Sequence, residues 1–99
     1  MYRPGNGVPK NSAEAVKWYI SKAAEQGYAA AQLNLGAMYY NGRGVPENDV
    51  QAYMWWSIAK AQGDVLAADW LDDVKERMIP TMITKAQALA AEWWEKHNN

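Results

Sequence analysis

The sequence predicts an all-α fold: a solenoid of about two helix hairpins, closed by a C-terminal capping helix. Three observations carry that expectation. The stretch GNGVPKNSAEAVKWY, starting at Gly5, returns as GRGVPENDVQAYMWW, starting at Gly42, an offset of 37 residues (42 − 5). A period of this size marks arrays in which each unit buries its apolar face only against its neighbours. Between the glycine and proline punctuation, apolar residues recur at the three-and-four spacing of helices and leave no segment for strands.

The elements follow in order. Met1 and Tyr2 occupy the places of Met38 and Tyr39, so the first hairpin keeps only the last two positions of its first helix. Its second helix spans 12–27, with Ser12 as N-cap and Gly27 in the left-handed closing position. A complete repeat spans 29–63. Its first helix runs from Ala29 to Tyr40, and Asn41, Gly42, Arg43, Gly44, Val45 and Pro46 form the connection. Asn48 or Asp49 caps its second helix, which Gly63 ends. Residues 64–79 are a partial third repeat, with Asp64 as cap and a helix toward Met78. Pro80 breaks that helix, and Thr81 or Thr84 opens the capping helix, 81–97.

The two long copies differ by one residue. Trp18 lies nine residues before Gly27, while Trp55 lies eight before Gly63 (27 − 18 against 63 − 55). Aligning back from the glycines isolates Ile20 as the extra residue, and a π-bulge near Ile20 is the expected way to absorb it.

Helical spacing also nominates the core. Ala52, Trp55, Trp56 and Ala59 form one stripe, and Ala15, Trp18, Tyr19 and Ala23 its counterpart. Ala31, Leu35 and Tyr39 face them, with Gly36 letting a neighbouring backbone come close. Ile83, Ala86, Leu89, Ala90, Trp93 and Trp94 stripe the last helix, which covers the open end of the array or docks on a partner.

Composition narrows the function. At 99 residues, 1–99 is a single domain by length. Ten basic and eleven acidic side chains give a net charge of −1, which offers no field for nucleic acid or anionic lipid. No apolar run approaches a membrane span and no signal core is visible, so no membrane partner is expected. With no cysteine the redox compartment is unreadable, and the cytoplasm stands only as the default.

Catalytic chemistry finds little footing, and neither a cofactor nor a metal is expected. His97 is the only histidine and sits near an end expected to fray. Asp69, Asp72, Asp73 and Glu76 lack the spacing of a calcium loop and read as a solvated acidic face. GNG and GRG follow helices and precede proline, which is turn chemistry and not a phosphate loop. Ser12, Ser21 and Ser57 have no base to activate them.

The order LGAMYYNGRGVP, then AYMWW, then an alanine step and a glycine resembles the Sel-one-like repeat, a helix-hairpin relative of the tetratricopeptide repeat. The resemblance covers about three quarters of the chain and implies a bacterial source, a right-handed α-solenoid and a non-catalytic scaffold for protein complexes. Ala15, Trp18, Ala31, Leu35, Gly36, Tyr39, Gly42, Gly44, Val45, Ala52 and Trp55 hold its repeat positions. The chain departs from the pattern at Ile20, at Asp72 where Gly36 would recur, and at Lys75 where Tyr39 would recur. Some relatives are cysteine-rich secreted proteins with proposed hydrolytic activity on cell-wall-like substrates. The absence of cysteine speaks against that remote alternative.

Two surfaces remain. The resemblance implies that peptides are held on the concave face formed by the first helix of each hairpin. Here that face carries Ala30, Asn34, Ala37 and Asn41, with Leu66, Trp70 and Asp73 one unit later. Trp70 is an anchor in that groove, or these are solvated polar positions and Trp70 packs under the capping helix. The second surface is the N-terminal face around Tyr2, Trp18 and Tyr19, where the shortened first hairpin leaves rings uncovered: either the chain is a fragment of a longer array, or another copy covers the face in a homodimer.

Overall fold

The computed structural model describes residues 12–97. Five helices follow one another: α1 (Ser12–Glu25), α2 (Ala29–Asn41), α3 (Asp49–Ala61), α4 (Val65–Lys75) and α5 (Pro80–His97). No strand occurs among the described residues. The helix α2 packs on α1 and α3, and α3 packs in turn on α4 and α5. This is an all-α helical-repeat solenoid with α3 at its centre.

The central place of α3 follows from its composition. Ala52, Tyr53, Met54, Trp55, Trp56, Ile58 and Ala59 are all buried, and a helix apolar on most of its circumference must be covered on most sides. Trp56 leads one core cluster with Leu33, Ala67, Leu71 and Val74. Trp55 leads a second with Ala24, Leu35, Ile58 and Trp93.

Helix ends obey local chemistry. Gly42 closes α2 at φ 69°, a left-handed geometry that favours glycine, and its N–H reaches the Met38 carbonyl. The connection then folds back onto the helix, burying Val45 and donating the Asn48 N–H to the Tyr39 carbonyl at 2.9 Å. Asn48 caps α3 by accepting from Gln51 N–H at 3.1 Å. Asp64 caps α4 by accepting from the N–H groups of Leu66 and Ala67 at 3.0 and 3.1 Å.

Four expectations need correction. α1 is a regular α-helix through Tyr19–Lys22, without the π-bulge. It has 14 residues against 13 in α3, so the extra residue lengthens the helix. Each inserted residue turns the downstream face by about 100°. Ile20 therefore packs on the core and Ala24 is fully buried, while Trp18 and Tyr19 face outward. Second, Ser12 already belongs to the helix and is not its N-cap. Third, α4 stops at Lys75, and Arg77 and Met78 close it with short-range bonds to Val74 and Lys75. Fourth, Pro80 opens α5 instead of preceding it, since proline lacks only an N–H that the first helical turn leaves unused.

Candidate protein-binding site

Helices α2 and α4 border an open cleft of about 180 Å³ lined by Ala37, Tyr40, Asn41, Trp56, Trp70 and Asp73. Its aromatic wall is a relay of rings. Tyr40 and Trp56 lie 5.4 Å apart between centroids, and Trp56 meets Trp70 edge-on at 5.4 Å. Trp56 is held from behind, because its Nε1 donates to the Leu33 carbonyl at 2.9 Å. Gly36 makes room for that ring; what approaches it is the Trp56 indole and not, as the sequence suggested, a neighbouring backbone.

Tyr40 is held by Arg77, from the turn after α4. The Arg77 guanidinium lies 3.8 Å from the centre of the Tyr40 ring and donates to the Tyr40 carbonyl at 2.9 Å. It also donates to Asp49 at 2.5 Å and comes within 3.9 Å of Glu47. The hydrogen bond to Asp49 raises the Arg77 pKa above its ordinary value, and partial burial opposes that rise.

Four of the seven groove positions expected from the sequence meet in this cleft: Ala37, Asn41, Trp70 and Asp73. Ala30 and Asn34 are exposed farther toward the start of α2. Leu66, 49 % exposed, lies one helical turn before Trp70. Trp70 rests against Trp56, packs on the core cluster around it and lines the cleft. The sequence reading missed Tyr40 and Trp56. Tyr40 follows Ala37 at helical spacing, a usable signal, whereas Trp56 reads as pure core because one edge of its ring is core.

At the N-terminal face, Trp18 is 46 % exposed and Tyr19 is 54 % exposed, their rings packed edge-on at 5.0 Å. Val16 and Tyr28 are exposed as well. Tyr2 lies outside the described residues. Of the repeat positions, Leu35, Gly36, Val45, Ala52 and Trp55 are buried, and Ala15, Ala31 and Tyr39 are half-buried. Gly44 adopts φ 77° in the connection.

Helices α1, α3 and α5 frame a second hollow of about 250 Å³, which includes Glu25, Gln51, Met54, Trp93 and His97. The end expected to fray beyond His97 lies outside the described residues. His97 closes α5, stacks on Trp93 at 3.9 Å and places Nδ1 2.8 Å from the Trp93 carbonyl. No helix among the described residues is long and apolar enough to cross a membrane, and no cluster of three metal-ligating side chains occurs among them.

The Sel1 repeat family matches the chain twice, at residues 1–28 and 29–64. Among solved structures, the chain is similar to a protective antigen present in uropathogenic Escherichia coli strains, described as displaying an SLR fold. The TM-score is 0.79 and the identity 34 %, over 94 % of this chain and 20 % of that one. The chain thus spans about a fifth of that protein's length. No curated protein matches the chain. Sel1 repeats generally mediate protein–protein interaction, and proteins built from them are typically non-catalytic scaffolds. With two matches that together cover well over half of its residues, the chain belongs to the Sel1 repeat family.

Proposed function

We propose that this chain is a non-catalytic interaction module that holds a peptide or protein segment on its α2–α4 face, centred on the cleft between Ala37 and Trp70. The observation that carries this reading is the convergence of Trp70, Tyr40 and Trp56 with the polar groups of Asn41 and Asp73 in one open cleft. Aromatic side chains supply contact area at low entropic cost, and asparagine amides can both donate to and accept from an extended backbone. Within this reading, 12–27 is the second helix of the first repeat, 29–63 a complete repeat, 64–79 a partial third and 81–97 the cap. The hydrolase alternative gains nothing from the cleft, whose lining holds one carboxylate and no histidine or serine.

The test is selection of binders from a displayed random-peptide library, followed by fluorescence-polarisation titration of the selected peptides. Trp70→Ala should weaken binding at least tenfold, as expected for a central aromatic anchor worth about 2 kcal/mol. Equal affinity for parent and variant would remove the cleft from the account.

A second reading, self-association, is favoured by one observation: Trp18 and Tyr19, packed edge-on, are exposed together with Val16 on α1. Neighbouring exposed apolar side chains of this size often mark an interface.

A further inference from the structure

We propose that the α2–α4 cleft takes a lysine or arginine side chain, so that the partner is a basic peptide segment; this rests on the protein-binding reading above. A basic side chain is an aliphatic stem ending in a cation. The cleft offers both complements, with Trp56, Trp70 and Ala37 for the stem and the Asp73 carboxylate for the tip.

The local charge supports this assignment. The α2 sequence AAAQLNLGAMYYN contains no charged residue. On α4, VLAADWLDDVK carries Asp69, Asp72 and Asp73 against Lys75 alone. Asp69 precedes Asp73 by one helical turn and so shares its side of α4. Arg77 does not line the cleft, and its guanidinium is engaged by Asp49, Glu47 and the Tyr40 carbonyl and ring. Its charge is therefore balanced outside the cleft. The Asp73 side chain makes no hydrogen bond or ion pair with the described residues.

Energetics then select the occupant. An aliphatic side chain would desolvate Asp73 without pairing it, and an acidic one would add like-charge repulsion from Asp73 and Asp69. A cation forms a charge-assisted hydrogen bond there while its stem covers the rings. Asn41, at the edge of the same cleft, remains available to the peptide backbone.

The experiment uses peptides selected against the parent protein, resynthesised with each basic residue replaced by norleucine. One such replacement should weaken binding about tenfold, the range of a hydrogen bond to a charged group. Asp73→Asn should weaken the parent peptide equally and the norleucine peptide hardly at all, because the two changes remove the same interaction. Asp73→Glu, which keeps the charge, should retain most of the affinity. Selected peptides that need Trp70 but show no basic preference, or that bind Asp73→Asn within twofold of the parent, overturn this proposal and leave the protein-binding reading standing. Binding indifferent to Trp70→Ala, or no binders at all, overturns both. If the occupant is a second copy of the chain, light scattering will show a dimer that Trp70→Ala abolishes, which also overturns the proposal.

Discussion

The Trp56 ring occupies the space that a side chain on Gly36 would need. A Cβ built on Gly36 would fall well inside contact distance of the Trp56 indole, whose Nε1 is fixed by the Leu33 carbonyl at 2.9 Å. This contact locks α2 onto α3 and aims the far edge of Trp56 into the cleft.

Gly36→Ala is therefore expected to destabilise the fold. Alanine gains about 1 kcal/mol over glycine in a helix interior, whereas overpacking costs about 1–3 kcal/mol. The packing term should win, and Gly36→Leu should lose more. Urea denaturation measures the difference, and a stability equal to or above the parent would show that the ring moves aside freely. Trp56→Phe in the Gly36→Ala background should recover part of the loss.

Gln32 joins three helices. It is fully buried, donates to the Ala24 carbonyl at 3.1 Å and accepts from Gln62 at 2.6 Å. Gln32→Leu should cost about 0.5–1.5 kcal/mol, because the Ala24 carbonyl keeps only the Gly27 N–H at 3.0 Å and the Gln62 amide loses its acceptor. Hydrogen exchange should quicken at the end of α1. Unchanged exchange there would contradict the role assigned to the junction.

Arg77→Gln should loosen the hold on Tyr40 with only a modest loss of stability, no more than about 1 kcal/mol, since the ion pair is partly exposed. The sign with pH follows from the raised pKa: the stabilisation is present below the unfolded pKa of arginine and is lost only as pH rises through the higher folded value. That window lies above neutral pH, so the loss should be flat between about pH 6 and 9. It should shrink in high salt. Melting temperatures across pH and salt check both; a salt-independent loss would point to ring packing alone.

Trp18→Ala tests self-association. Light scattering across a hundredfold concentration range should show mass doubling in the parent and a constant monomer in the variant. A parent that stays monomeric would discard this second reading.

Much of this fold is legible because repeats place punctuation at fixed intervals. Gly42 and Asn48 end and start helices for reasons local to their own side chains. The α1 face was misread because the Trp55–Trp56 stripe was transferred across an inserted residue that a regular helix converts into rotation, bringing Ile20 and Ala24 inward. Ala37, Asn41, Trp70 and Asp73 were found because helical spacing places them on one face. Gln32 left no such trace, since its counterpart one unit on, 36 residues later (68 − 32), is Ala68. Arg77 finds Tyr40 and Asp49 across separations of 37 and 28 residues, which no local pattern encodes.

The most direct test of the central claim is a two-dimensional ¹H–¹⁵N NMR titration of the parent protein with a selected peptide. The account predicts the largest shifts at the indole signals of Trp56 and Trp70 and at the amides of Ala37, Tyr40, Asn41 and Asp73. Shifts concentrated instead at Trp18 and Tyr19, or at Trp93 and His97, would place binding on another face and contradict it.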